Sequence, residues 1–358
     1  MKRTLGLTLL LFATLFSCMR QEKPLPAELS RAESVMWEHP DSALSILRSM
    51  PQSSLSIGKN YATWALLLAQ ARDKVYGKRL PDSLNIPSSD KLVQDAMDYF
   101  EKEGDLKRMA QTYYYKGQLL KDQKKITEAM PFFLKSKEMM TKLDEPLFTY
   151  LICQSLGNMY RYQDLYEESL VQLKDAYQYA LRSGNGERIS YALSELGRTY
   201  VHKNEMDSAL FYFGKSLDNA QRLGNIELEA MAMGELGVVY NKLSQGEKAL
   251  HYTRKELDLC LQISSLHKLP QVYYKIGSAF WSLGQLDSAK VYFQKSLETD
   301  NLYTLNEAYE VLYYICVEQK LYKEAIEYNN QYLIYSDSLQ VINHAGELAE
   351  IQARYDHE

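Results

Sequence analysis

The chain has 358 residues, of which 46% are hydrophobic and 24% are charged, a composition typical of a folded, soluble protein. Its formal net charge of -5 comes from 41 basic and 46 acidic residues. This balance provides no basic field for a phosphate backbone, so we expect no nucleic-acid partner for this part of the chain. The 29 tyrosines, set against 9 prolines and 17 glycines, favour a helix-rich protein that packs through large amphipathic rings.

The N-terminal segment has the pattern of a signal peptide. Lys2 and Arg3 supply a positive start, and the apolar stretch from Leu5 to Phe16 is too short to remain as a membrane span. An exported protein is therefore expected.

The next residues, LFSC at positions 15–18, resemble a bacterial lipobox, in which cleavage precedes a cysteine that then receives acyl chains. The resemblance implies a lipoprotein signal peptide over residues 1–17, lipidation at Cys18 and a tether over residues 18–26. Several acyl chains would anchor the chain stably to a membrane. The other interpretation is an ordinary secretory signal with a chance cysteine.

Residues 27–106 are predicted to form divergent helices. The stretch RAESVMWEHPDSALSIL predicts a helix, a break at Pro40 and a second helix with its N-cap at Asp41 or Ser42. Ala43 and Leu47 are expected on the buried side of that second helix.

Two further helices are predicted over residues 59–76 and 88–105. The segment between them, GKRLPDSLNIP at residues 77–87, contains two prolines and is predicted to be a loop.

A glycine recurs every forty residues in the central part of the chain, at Gly117, Gly157, Gly197, Gly237 and Gly277. Twelve residues after each glycine stands a small residue: Ala129, Ser169, Ala209, Ala249 and Ala289. Four residues further are Phe133, Leu173, Phe213, Thr253 and Phe293, and three beyond those are Ser136, Ala176, Ser216, Glu256 and Ser296. A sixth copy follows at a spacing of 36, with Tyr313 in the glycine position and Ala325 in the small-residue position. These residues recur on single helix faces, so each copy needs neighbours to bury its apolar sides.

This pattern resembles the tetratricopeptide repeat, a pair of antiparallel helices with a glycine and an aromatic residue on the first helix. The resemblance covers residues 107–335. It departs from the family in its period, which is usually 34, and in lacking the proline near the end of the second helix. Here Gly224-Asn225 is predicted to end one helix and begin the next. The resemblance implies an all-α fold, a right-handed α-α superhelix (a tetratricopeptide-repeat solenoid) of about eight helix pairs.

The recurring glycine requires a compensating gain, because glycine inside a helix costs about 1 kcal/mol relative to alanine. We expect close approach of the second helix to supply it. Residues 336–358 are predicted to form a C-terminal helix, either a cap or the start of a longer helix.

Catalytic and metal-binding patterns are absent from the sequence. The tripeptide GKS at 214–216 lacks the first glycine of a phosphate loop, and the six histidines show no H-E-x-x-H spacing. The remaining cysteines, Cys153, Cys260 and Cys316, are too widely spaced for a disulfide framework and are predicted to be buried packing residues. We therefore predict that the chain is not an enzyme and binds no cofactor or metal.

In proteins with this repeat, the first helix of each pair lines a concave groove through positions three before the glycine and one and four after it. Amides there could bond a peptide backbone, arginines a carboxylate, and aromatic rings could anchor a side chain. The same polar residues are also what an idle solvent-facing surface would carry. The positions predicted to bind a peptide are Tyr114, Gln118, Gln154, Asn158, Arg161, Arg198, Asn241, Tyr274 and Trp281.

The resulting hypothesis is a lipid-anchored module of the cell envelope that binds a protein or peptide, as a scaffold or as the sensor part of a signalling protein. The outer membrane is the favoured location, with periplasmic and cell-surface display both open. A glycan-capture lipoprotein of the outer membrane is the alternative, since some such proteins contain these repeats and use exposed tryptophan and tyrosine. An enzyme with a composite site has only the scattered histidines in its favour.

Overall fold

The computed structural model describes residues 25–51, 55, 58–76 and 88–355, with side chains as far as residue 339. Within these residues the chain is all-helical, with 16 α-helices and no strand. The predicted signal peptide, Cys18 and the loop at 77–87 lie outside the described residues. The chain divides into two compact units, Met1–Arg108 and Met109–Glu358.

The first unit contains four complete helices, and α1 packs against α2, α2 against α3 and α3 against α4. The helices predicted over 59–76 and 88–105 are confirmed. Ser88 caps the second of these, since its hydroxyl oxygen accepts a hydrogen bond from the Lys91 N–H at 3.3 Å. The bounds are α1 Ala27–Val35, α2 Pro40–Ser49, α3 Lys59–Tyr76 and α4 Ser89–Glu103.

The predicted N-cap of α2 was wrong. The helix begins at Pro40, and its N-cap residue is His39 rather than Asp41 or Ser42. Proline suits the first helical position because its fixed φ matches the helix and an N–H there would have no intrahelical partner. Ala43 and Leu47 are fully buried, as predicted.

The second unit consists of first helices with odd labels and second helices with even labels, in strict alternation. The bounds are α5 Leu106–Asp122, α6 Ile126–Lys142, α7 Pro146–Tyr162, α8 Tyr166–Ser183, α9 Gly186–His202, α10 Met206–Leu223, α11 Ile226–Lys242, α12 Gly246–Gln262, α13 Leu269–Ser282, α14 Leu286–Ser296, α15 Leu302–Glu318 and α16 Tyr322–Tyr355. From α7 onward each first helix packs against its own second helix and against the second helix before it. Over the described residues this arrangement confirms the predicted α-α solenoid of about eight helix pairs.

The recurring glycines lie where two helices approach closely. A Cβ atom added to Gly197 would stand 2.5 Å from the Phe213 ring, and one added to Gly157 would stand 2.6 Å from Leu173. Both large side chains are fully buried. The expected gain from close packing at the glycine position is therefore confirmed, because any side chain there would force the second helix away.

The turns of the array repeat every twenty residues, twice as often as the sequence motif. A residue with positive φ ends each helix, at Gly104, Lys124, Asp144, Asp164, Gly184, Asn204, Gly224, Ser244, Ser264 and Gly284. The predicted turn at Gly224-Asn225 is confirmed: Gly224 has a φ of 62°, and the Asn225 side chain accepts a hydrogen bond from the Leu228 N–H at 3.1 Å. One helix and one turn thus form the structural unit, and two units form a repeat.

The last helix differs from the others in length. Helix α16 has 34 residues, whereas α5 to α12 have 17 or 18 each. The segment predicted as a C-terminal helix from residue 336 continues α16 without a break.

Candidate binding face of the first helices

Each first helix is mostly buried and leaves one stripe of side chains partly or fully exposed. The stripe recurs ten and six residues before the glycine position and one and five residues after it. We call these stripes together the first-helix face. In α7 the stripe comprises Leu147, Leu151, Asn158 and Tyr162, and in α9 it comprises Glu187, Tyr191, Arg198 and His202.

Alternating charges join three successive first helices beside this face. Arg161 of α7 donates through Nη1 to Oε2 of Glu195 on α9 at 2.7 Å. The other oxygen of Glu195 accepts from Arg198 Nη1 at 2.7 Å, and Arg198 Nη2 lies 2.6 Å from Oε1 of Glu235 on α11. We call this row of four side chains the charge ladder.

The ladder fixes both predicted arginines. Arg161 and Glu195 are only 7% and 8% exposed, so their ion pair is well shielded from solvent. Burial lowers the pKa of Arg198, but the charges of Glu235 and Glu195 outweigh it and hold that pKa above its usual value. Removing one partner from such a pair would leave a buried charge unpaired, at a cost of about 3–5 kcal/mol. The two arginines therefore hold α7, α9 and α11 in register.

The predicted amides have two kinds of environment. Gln118 donates to the Tyr114 hydroxyl at 2.6 Å, whereas Gln154 is partly exposed. The Oδ1 atoms of Asn158 and Asn241 are buried and accept no hydrogen bond from any described residue. An unsatisfied buried amide oxygen costs about 1–3 kcal/mol.

The predicted aromatic residues differ in accessibility. Tyr114 is 4% exposed and packs edge-on against Phe133, so it belongs to the core between helices. Tyr274 is partly buried, and burial, followed by its hydrogen-bonded neighbour Glu307, raises its pKa. Trp281 is 37% exposed and is the most accessible of the three.

The structure adds side chains that the sequence pattern did not single out. Tyr162 is 80% exposed and Tyr191 is 41% exposed, both on the first-helix face. Glu195 and Glu235 occupy the same repeat position, two residues before the glycine, and complete the charge ladder. The spacing of Glu195 and Arg198 by three residues on one helix was the available signal for the ladder.

The cysteines and the search for other sites bear on the remaining predictions. Cys153, Cys260 and Cys316 are free and buried, as predicted for packing residues. Among the described residues no group of three acidic, histidine or cysteine side chains could hold a metal ion. Over the same part of the chain, no helix combines the length and apolar character that crossing a membrane requires.

The fold and face define a class before any relative is considered: an α-solenoid of repeated helix pairs. The sequence model described as "Tetratricopeptide repeat" matches residues 110–139 and 270–301. The chain therefore contains tetratricopeptide repeats, a fold that suggests protein–protein interaction in a scaffold or sensor role. Proteins built from this repeat are generally not enzymes. No protein of curated function matches the sequence significantly.

Solved structures of low sequence identity share the fold. The apo form of RapI is similar with a TM-score of 0.64 at 13% identity, covering 87% of this chain and 97% of that protein. Aspartyl phosphate phosphatase F from Bacillus subtilis has a TM-score of 0.54 at 15% identity, covering 93% of this chain and 96% of that one. A signal transduction ATPase with a tetratricopeptide repeat sensor from Pyrococcus horikoshii has a TM-score of 0.66 at 15% identity, covering 90% of this chain but 48% of that protein.

Proposed function

We propose that the chain is an interaction module anchored to a bacterial envelope membrane through acylated Cys18, and that its first-helix face binds a peptide segment of a partner protein. The observation that carries this proposal is the row of exposed aromatic side chains on a face held rigid by the charge ladder. Tyr162, Tyr191 and Trp281 leave 80%, 41% and 37% of their surface accessible. Exposed tyrosine and tryptophan on a preorganised surface are typical anchors of protein interfaces.

The chemistry of the face suits an extended peptide. Aromatic rings offer apolar area for peptide side chains, while the partly exposed Gln154 amide can bond a peptide backbone. Arg198 keeps part of its guanidinium accessible beside the ladder and can meet a ligand carboxylate. A structurally similar Rap protein was solved in complex with Competence and Sporulation Factor, with a TM-score of 0.60 at 12% identity, which supports a ligand-binding role for this fold.

Partner capture from native membranes tests the face. We expect Tyr162→Ala combined with Trp281→Ala to reduce recovery of the specific partner at least tenfold in quantitative mass spectrometry. Phe211→Ala is the matched control, because Phe211 is an aromatic residue 55% exposed on a second helix. Equal loss with the control, or unchanged recovery with the double variant, would refute the proposed face. Glycan binding that disappears with Trp281→Ala would instead favour the glycan-capture alternative.

The anchor has a separate test. Cys18→Ser removes the thiol that would be acylated, so we expect the protein to move from the membrane fraction to the soluble fraction after cell disruption. Metabolic labelling with a palmitate analogue should mark the wild type and not the variant. Labelling that persists in Cys18→Ser would contradict lipidation at this cysteine.

A further inference from the structure

In the interior of the array, each second helix is covered by the first helix of the next pair. Met206, Leu210 and Leu217 of α10 show this, because they pack against a core that includes Leu236 and Val239 of α11. This contact is the interface by which one pair joins the next.

The last second helix exposes the equivalent positions. Counted from the small-residue position, Tyr322, Ile326 and Leu333 of α16 correspond to Met206, Leu210 and Leu217 of α10. Their exposed fractions are 61%, 63% and 48%. Val317 of α15, at the same edge, is 39% exposed. We call these four residues, Val317, Tyr322, Ile326 and Leu333, the terminal face.

The terminal face is unlike the end of a capped array. Terminal repeats of solenoid proteins normally carry a polar outer surface, because no further repeat covers them. Here Leu170 of α8 and Ile326 of α16 occupy the same position, yet Leu170 is 3% exposed and Ile326 is 63% exposed. A side chain suited to a buried interface thus remains in contact with solvent, which marks the face as a contact surface.

Shape and charge indicate the occupant. At every other second helix from α6 to α14 this surface receives an α-helix, so a helix is the shape that fits. Residues 302–339 carry six acidic and two basic side chains, a net formal charge of -4. An apolar surface in an acidic surrounding favours a helix with basic residues beside its apolar stripe. The acidic residues are Glu307, Glu310, Glu318, Glu324, Glu327 and Asp337.

We propose that an amphipathic α-helix of a partner protein, apolar along one side and basic at its flanks, docks on the terminal face in the place that a next first helix would take. This surface is distinct from the first-helix face. The two proposals can therefore fail independently.

Site-specific photo-crosslinking of the full chain in its native host identifies the occupant. The probe is p-benzoylphenylalanine in place of Ile326, and the matched control places it at Phe211, an outward position of similar exposure on α10. We expect the Ile326 probe, and not the control, to crosslink to a segment of another protein. That segment should have apolar residues at helical spacing and a net positive charge. The crosslink should persist in the Tyr162→Ala, Trp281→Ala double variant.

Crosslinking to the same polypeptide would overturn the proposal in favour of a second copy or of an internal contact. Crosslinking to an acidic or non-helical segment, equal products from both positions, or no product from Ile326 would also overturn it. A synthetic peptide of the captured segment then gives the affinity: Glu327→Lys should weaken binding to the purified chain several-fold, and Ile326→Glu at least tenfold. Unchanged affinity in the Glu327→Lys variant would refute the role of charge even if Ile326→Glu were to misfold.

Discussion

The third and fourth repeats solve the same packing problem with different residues. In the third, the Ser216 hydroxyl lies 3.0 Å from the Ser194 hydroxyl and donates to the Ser190 carbonyl oxygen at 3.0 Å. In the fourth, forty residues on, the equivalents of Ser194 and Ser216 are Gly234 and Glu256. The pair of positions is shared, and the size of its two members is exchanged.

The fourth repeat buries a carboxylate in the space that the glycine leaves. A Cβ atom on Gly234 would stand 2.4 Å from Oε1 of Glu256, and Lys275 donates to that oxygen at 2.7 Å. The Oε2 atom is buried and accepts no hydrogen bond from any described residue. Burial raises the pKa of Glu256 despite Lys275. The comparison shows that the position three before the glycine packs against the second helix in both repeats.

The largest effect should come from transferring the glutamate to the third repeat. Ser216→Glu would bury a carboxylate opposite Ser194, and Glu235 stands where the fourth repeat has Lys275. We expect a loss of about 3–5 kcal/mol in the free energy of unfolding, as for an unpaired buried charge. Urea denaturation measures it. A loss below 1 kcal/mol, no larger than for Ser216→Ala, would show that the third repeat accommodates the charge without the glycine.

Closing the glycine space should have the next largest effect. Gly234→Ala places a methyl group against the Glu256 carboxylate, and we expect a loss of about 1–3 kcal/mol from overpacking. In a Glu256→Ser background the same change should cost little or add stability, since alanine is the better helix former. Additive effects in this double-mutant cycle would contradict the pairing of the two positions.

The turns inside the two repeats offer a smaller contrast. Asn204 and Ser244 occupy equivalent turn positions with φ values of 62° and 56°. Asparagine tolerates the left-handed region better than serine, so Ser244→Gly should stabilise by about 1 kcal/mol and Asn204→Gly by less. Thermal unfolding of both variants decides the order. An equal or larger gain at Asn204 would mean that the serine turn has a compensating contact.

The smallest effect at neutral pH is expected for Glu256→Gln, which keeps the volume of the side chain. Its signature is pH dependence. Because the folded-state pKa of Glu256 is raised above its ordinary 4.5, the folded state binds more protons between the two values. Wild-type stability therefore loses a contribution as pH rises through this window, and the glutamine variant lacks that loss. Identical pH profiles of unfolding for the two proteins would contradict the raised pKa.

The glycine seam illustrates what repeat counting can predict. The residues twelve and sixteen after each glycine are spaced by the helix itself, so their burial follows from one helix pair. Ala209 and Phe213 are fully buried for this reason. Periodicity also located the helix pairs, because each pair repeats the same local contacts.

The charge ladder could not be predicted in the same way. Arg161 and Glu195 are 34 residues apart on different first helices, and their contact depends on how two neighbouring pairs are rotated against each other. The resemblance placed Arg161 toward a ligand, whereas the structure places its guanidinium against a glutamate. Whether the predicted groove residues bind a peptide stays a prediction, since burial alone does not test it.

The charge ladder also bears on how such an array can change length. Glu195 and Glu235 occupy the same repeat position, forty residues apart, and each accepts a hydrogen bond from an arginine of the preceding first helix. A recombination event that removed residues 186–225 would therefore bring Arg161 opposite Glu235 and restore the same ion pair at the junction. Inheritance can shorten this chain by one whole repeat without leaving an orphaned charge where the ends are joined.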